Sequence, residues 1–145
     1  MTYPFETDPI SRLIYVDIKV EEHNFRMMLD TGASSTTFDI NALLFVGYPI
    51  GNVVGVNIVE TASGMMDVDV IETKVISAFG HTVRGMKVQM YDFYKHGIIS
   101  DYDGLLGLDF FENTEFRINT CACTHSTSMK NQTIEVFNRP TLRIG

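Results

Sequence analysis

A strict alternation of apolar and polar residues near the start of the chain constrains its fold more than any other feature. From Ile14 to Val20 every second residue is aliphatic, and the residues between them include Asp17 and Lys19. This period of two predicts a β-strand with one buried face. Glu22–Asn24 has the composition of a turn, so Phe25–Leu29 is predicted to be the return strand of a hairpin.

The middle of the chain repeats this pattern of extended segments separated by turn residues. Val53–Val59 and Met66–Ile76 are rich in β-branched residues, and Thr61–Gly64 between them has the composition of a hairpin tip. A second turn at Ala78–His81 precedes a predicted strand over Val83–Met90. These segments predict a domain built mainly of antiparallel strands.

Short helices and a terminal strand pair complete the predicted fold. Asp39 is predicted to cap a helix over Ile40–Phe45, and Asp109 a shorter helical turn that ends at Asn113. Phe116–Ala122 and Thr133–Phe137 are predicted to form the last strand pair. Because 145 residues suit one domain, residues 1–145 are predicted to form a single all-β domain, a closed barrel with one or two short helices.

The charge balance and the distribution of apolar residues exclude several classes of function. The chain has 11 Lys and Arg against 18 Asp and Glu, a net charge of −7, and it contains no basic run. Such a chain repels phosphate backbones, so no nucleic-acid partner is expected. No apolar stretch approaches the roughly 20 residues of a membrane span. The first residues lack the basic and then apolar order of a secretory signal, which favours a cytoplasmic location.

The candidate for chemistry is Asp30, which follows the apolar residues Met27–Leu29 directly. Asp and Gly are common turn residues, so the segment Asp30–Gly32 is compatible with an ordinary turn. However, a carboxylate at the end of a buried strand is unfavourable unless it is hydrogen-bonded or has a function. Gly32 would let backbone amides approach that carboxylate, and the small residues Ala33 and Ser34 would leave room for a substrate.

Two motifs give the chain a resemblance to the aspartic proteases. The first is the signature of an apolar residue, Asp-Thr-Gly and two small residues, present here as Leu29-Asp30-Thr31-Gly32-Ala33-Ser34. The second is a pair of apolar residues followed by Gly, present here in Gly104-Leu105-Leu106-Gly107. The resemblance covers roughly Arg12 to Asn119 and is strongest to the single-lobe, retropepsin-like members found in cells and in retroviruses.

This resemblance implies a peptidase that needs two carboxylates around one water molecule. The chain holds one Asp-Thr-Gly segment, and Asp103-Gly104, the nearest second candidate, lacks the hydroxyl residue. The resemblance therefore implies a homodimer in which Asp30 of each copy forms the catalytic pair. The substrate would be a peptide or protein, and neither a metal nor an organic cofactor is expected.

The resemblance also assigns roles to the residues around Asp30. Thr31 and Gly32 would hold the catalytic loop, with Thr31 bonding across the dimer, while Ala33 and Ser34 would line the substrate groove. Ser63 and Gly64 would lie at the tip of a flap that folds over the substrate. An ordinary exposed hairpin is the alternative interpretation of that tip, and a plain core segment is the alternative for Leu105–Gly107.

Two other functions remain open at this stage. A protein of the same fold that binds peptides as a dimer without cleaving them would carry the same motifs. Cys121, Cys123 and His125 alternate, so a strand would place three potential metal ligands on one face. The sequence offers no evident fourth ligand, and cysteines are often simply buried.

Overall fold

The structure is a computed structural model that describes residues 2–51, 53–120 and 132–138. These residues form mostly β-structure, with one short α-helix and one short 3₁₀ helix. The strands of the first half are β1 (Thr2–Pro4), β2 (Glu6–Thr7), β3 (Ile14–Val20), β4 (His23–Leu29), β5 (Thr37–Asp39), β6 (Gly55–Thr61) and β7 (Gly64–Glu72). The others are β8 (Val75–Ala78), β9 (His81–Arg84), β10 (Lys87–Tyr91), β11 (Gly104–Leu106), β12 (Thr114–Asn119) and β13 (Thr133–Asn138).

The hairpin of β3 and β4 confirms the alternation seen in the sequence. Val16, Ile18 and Val20 are buried, and Ile18 pairs with Phe25 across the antiparallel ladder. The turn differs from the prediction, because it consists of residues 21 and 22 rather than Glu22–Asn24. Glu21 takes a positive φ of 55°, which lets β4 begin earlier than predicted.

The long strands predicted over Met66–Ile76 and Val83–Met90 are each interrupted, and the two interruptions face each other. The Thr73 N–H donates to Met86 O at 2.9 Å, and the Gly85 N–H donates to Lys74 O at 3.1 Å. Gly85 has a φ of 66°, a conformation that glycine adopts without strain. As a result β7 pairs with β10 on one side of the break, and β8 pairs with β9 on the other.

The strands fall into a large sheet and a small one. The path of hydrogen-bonded neighbours in the large sheet runs β6-β7-β10-β5-β11-β4-β3-β8-β9, with β2 beside β3. Among the described residues this path has two free ends, so closure into a barrel stays a prediction. The small sheet has the order β1-β13-β12, which confirms the predicted terminal strand pair. Cys121, Cys123 and His125 lie outside the described residues.

The hydrophobic core lies between the central strands and the two short helices. Phe25 and Phe38 meet edge to face with ring centroids 5.2 Å apart. Met27, Leu106 and Phe110 are fully buried in the same cluster. Met27 belongs to β4 and Leu106 to β11, so packing in the core holds these two strands in place. The candidate site lies at the ends of both strands.

One helix cap was predicted correctly and the other was not. The α-helix α1 spans Ile40–Phe45, and the Asp39 side chain accepts a hydrogen bond from the Asn41 N–H at 3.2 Å. The 3₁₀ helix spans Leu108–Phe111, so Asp109 lies inside it and does not cap it. No helix in the described part of the chain is long and apolar enough to cross a membrane.

Candidate active site

The loop that begins at Asp30 leaves the sheet where β4 and β11 run parallel. Leu29 pairs with Leu106, and the Asp30 N–H continues the ladder by donating to Leu106 O at 3.0 Å. The Ala33 N–H donates to Asp30 O at 3.1 Å, which closes a tight turn. The backbone of Asp30 is therefore held on both sides by main-chain hydrogen bonds.

The half-buried Asp30 carboxylate is held by the loop itself. Its Oδ1 accepts a hydrogen bond from the Gly32 N–H at 3.0 Å. A Cβ on residue 32 would come within 3.3 Å of the same oxygen, so the glycine allows this approach without crowding. The geometry agrees with the expectation that Gly32 would bring a backbone amide close to the acid.

The segment Leu105–Gly107 packs directly behind this loop. The Leu108 N–H donates to Ala33 O at 2.9 Å. A Cβ on Gly107 would lie 2.7 Å from the carbonyl carbon of Ser35 and 2.9 Å from Ala33 O, so no larger residue fits without moving the loop. The segment Leu105–Gly107 is thus part of the core, and its glycine also allows the backbone of the Asp30 loop to pack against it.

A buried hydrogen-bond network, which the sequence analysis missed, fastens the end of the loop. The Asp109 carboxylate accepts from the Thr36 N–H at 2.9 Å and from the Thr36 hydroxyl at 2.7 Å. Thr36 Oγ1 in turn accepts from the Gly107 N–H at 3.1 Å, and Thr36 has no exposed surface. Asp109 therefore joins the 3₁₀ helix, the loop and β11, in place of the capping role predicted for it.

A cleft of about 1050 Å³ opens beside the loop. Its walls bring together five of the predicted site residues, namely Gly32, Ala33, Ser34, Ser63 and Gly64. Asp30 and Thr31 are not among the residues that line it in the single chain. The loop and the hairpin tip, about thirty positions apart in the sequence, thus face one space.

The hairpin of β6 and β7 forms the other wall of this cleft. Its tip is a turn of residues 62 and 63, and Thr61 Oγ1 donates to Gly64 O at 2.9 Å. Gly64 has a φ of 121°, a conformation that residues with a Cβ rarely adopt. The tip is therefore a tight turn that depends on glycine at position 64.

The aromatic residue Tyr102 lines the cleft and was also missed in the sequence. The Tyr102 ring packs 6.0 Å from Tyr15 and 6.2 Å from Phe93. Burial raises the pKa of Tyr102 above its usual value, and the neighbouring Tyr15 and the charge of Asp30 act in the same direction. Tyr102 thus offers a neutral hydroxyl group close enough to Asp30 to be influenced by its charge.

Asp103, the other carboxylate considered from the sequence, is engaged elsewhere. Its Oδ2 accepts from the Arg26 N–H at 2.9 Å, and its own N–H donates to Arg26 O. These bonds tie the segment before β11 to β4. No group of three or more His, Cys, Asp or Glu residues within the described ranges is arranged to hold a metal ion.

Comparison with known protein families matches residues 16–110 to the family described as aspartyl protease. The chain belongs to this family. A search of curated proteins found no match.

Two solved structures show the same fold. One is a retropepsin-like aspartic protease from Rickettsia conorii, with 17% identity, a TM-score of 0.59, and coverage of 94% of this chain and 91% of that one. The other is the EIAV protease complexed with the inhibitor HBY-793, with 15% identity, a TM-score of 0.56, and coverage of 73% and 91%. The fold is therefore retropepsin-like, as the sequence motifs implied.

Proposed function

We propose that this protein is an aspartic endopeptidase that works as a homodimer, with Asp30 of each copy forming the catalytic pair. The observation that carries the proposal is the arrangement of the Asp30 loop. A half-buried carboxylate is fixed by the Gly32 N–H at the end of a core strand, beside a cleft that a hairpin tip faces. Membership of the aspartyl protease family supports the same reaction class.

The need for a second copy follows from counting carboxylates. Peptide hydrolysis of this kind requires two acids that share one proton around a water molecule. Asp103 is not placed to be the partner of Asp30, because it lies level with Arg26 on the parallel pair of β4 and β11, four residues before Asp30, and a strand rises about 3.3 Å per residue. A two-fold axis that brings the two Asp30 side chains together supplies the missing acid.

The proposed reaction uses the pair as a general base and a general acid. Two like charges in contact do not both ionise readily, so one proton is shared and the titration belongs to the pair. The ionised carboxylate takes a proton from the water as its oxygen attacks the peptide carbonyl. The protonated carboxyl group hydrogen-bonds the carbonyl oxygen. Transfer of a proton to the amide nitrogen then breaks the C–N bond, without a covalent enzyme intermediate.

The remaining predicted residues have supporting roles in this proposal. Thr31 is exposed in the single chain and would make hydrogen bonds across the dimer beneath the catalytic pair. Ala33 and Ser34 would line the groove, with Ser63 and Gly64 above an extended peptide held by strand-like hydrogen bonds. Residues 1–145 would act as one domain, and the cytoplasmic location stays a prediction.

Incubation with an unstructured polypeptide tests the proposal. We expect internal cleavage that requires no added metal or cofactor and that a peptide mimic with a hydroxyl group at the scissile position suppresses, because the mimic resembles the tetrahedral intermediate. Binding of the mimic without any cleavage would contradict the proposal and indicate a peptide-binding module. A chelator is the control for contaminating metallopeptidases.

A further inference from the structure

A histidine side chain on the cleft wall has no role in the reaction proposed above. Among the described residues that line the cleft, His96 is the only basic one. It lies in the turn that follows β10, and the Tyr91 ring stacks on it with ring centroids 4.4 Å apart and an angle of 22°. We propose that His96 selects substrates that carry a carboxylate side chain, Asp or Glu, where the peptide passes this wall. The inference rests on the proposed function and adds a substrate class to it.

The hydrogen bond of the ring fixes which nitrogen is left to bind a substrate. His96 Nδ1 lies 2.8 Å from Asp92 O, and a carbonyl oxygen can only accept a hydrogen bond. Nδ1 must therefore carry the hydrogen in the neutral ring, which leaves Nε2 as an acceptor. On protonation Nε2 becomes a cationic donor, and the bond from Nδ1 is kept. A protonated ring would thus offer a charged donor at the cleft wall, and a neutral ring an acceptor.

The turn that carries His96 is held in place before any substrate arrives. Asp92 Oδ1 accepts from the Lys95 N–H at 2.9 Å and from the Asn41 side-chain amide at 2.9 Å. The Ile98 N–H donates to Phe93 O at 2.8 Å, which closes the turn onto the cleft wall. A side chain fixed in this way loses little conformational freedom on binding, which favours a specificity role.

Several charged or titratable groups share this turn or this cleft with His96. The Asp92 carboxylate and the Lys95 ammonium belong to the same turn, Tyr91 contributes the stacked ring from β10, and Glu60 and Tyr102 also line the cleft. The hydrogen bond from the Lys95 backbone lowers the pKa of Asp92, and the Asn41 side chain acts in the same direction. Both donors bind Asp92 Oδ1, and the charge of His96 also lowers the pKa of Asp92, so a substrate carboxylate would share a protonated His96 with Asp92. A substrate carboxylate near His96 would accept a hydrogen bond from Nε2 of the protonated ring. A substrate carboxylate near β6 would instead be repelled by Glu60.

Matched peptide pairs test the inference. The two fluorogenic peptides of a pair would differ at one residue, which is Glu in one peptide and Gln in the other. From pair to pair, this residue would be placed at each position in turn on both sides of the scissile bond. At one position we expect the Glu peptide to be preferred about three- to fivefold in kcat/KM. His96→Gln should remove the preference. Lys95→Gln, which removes a charge from the same turn but not from the cleft lining, should keep it.

The outcomes separate this inference from the proposed function. Cleavage with equal rates for Glu and Gln peptides at every position would overturn the inference alone. Loss of the preference in Lys95→Gln, or its persistence in His96→Gln, would overturn it as well. If no peptide is cleaved, the proposed function fails, and binding of the same peptide pairs to Asp30→Asn still decides the inference. Tighter binding of the Glu peptide than of the Gln peptide, absent in the double variant with His96→Gln, supports the inference, and equal binding overturns it.

Discussion

Replacing Asp30 by Asn is expected to reduce peptide cleavage by at least about a thousandfold. The amide has nearly the same shape as the carboxylate, and its oxygen can still accept the hydrogen bond that the Gly32 N–H donates at 3.0 Å. It cannot take a proton from water, however, so the general base is lost. The measurement is kcat/KM with a cleavable peptide at the pH of highest activity.

Two comparisons show whether the loss of activity comes from the missing general base or from a change in the fold. Because the loop bonds are retained, the free energy of unfolding in urea should change by no more than about 0.5 kcal/mol. Asp101→Asn is the matched control, since Asp101 is exposed and lies in the loop before β11. The control should keep full activity. Cleavage by Asp30→Asn at the wild-type rate would contradict the assignment.

Replacing Asp109 by Ala is expected to lower the free energy of unfolding by about 3 kcal/mol. The change removes the acceptor for both the N–H and the hydroxyl of Thr36, which has no exposed surface. Buried donors without partners are costly, because water solvates them in the unfolded chain and nothing replaces it in the folded one. Urea unfolding followed by fluorescence or circular dichroism measures the effect.

Conservative variants separate this network from simple loss of packing. Asp109→Asn keeps one side-chain acceptor oxygen, so its loss of stability should be clearly smaller than that of Asp109→Ala. Asp101→Ala, at an exposed position, should change stability by less than about 0.5 kcal/mol. Equal stability of Asp109→Ala and wild type would show that the network does not hold the loop.

Local patterns in the sequence predicted those parts of the fold that local chemistry determines. The β3–β4 hairpin follows from the period of two between Ile14 and Val20. The cap of α1 follows from Asp39, whose carboxylate reaches a backbone N–H two residues along the chain. The loop at Asp30 was identified because a carboxylate at the end of an apolar strand is costly to bury, and because Asp30–Gly32 and Gly104–Gly107 together resemble the motifs of aspartic proteases.

The features that were missed depend on residues far apart in the chain. Thr36 and Asp109 are 73 positions apart, and neither alternation nor capping rules connect them. The break between β7 and β8 is bonded to the break at Gly85 between β9 and β10. The apolar pattern within one strand contains no information about a break in the strand opposite. Tyr102 and His96 line the cleft from the segment between β10 and β11, which lies more than sixty positions from the Asp30 loop in the sequence. Their sequence neighbourhoods have no periodic signal.

Mixing wild-type protein with the Asp30→Asn variant tests most directly whether two chains build one catalytic centre. A fixed amount of wild type would be equilibrated with increasing variant before the assay, and an unrelated protein would serve as the control for crowding. If activity needs an acid from each copy, random exchange halves the activity at an equal amount of variant and leaves about a tenth at a ninefold excess. Activity that stays constant over the whole series, with mixed dimers shown to form, would mean that a single chain carries the complete catalytic centre.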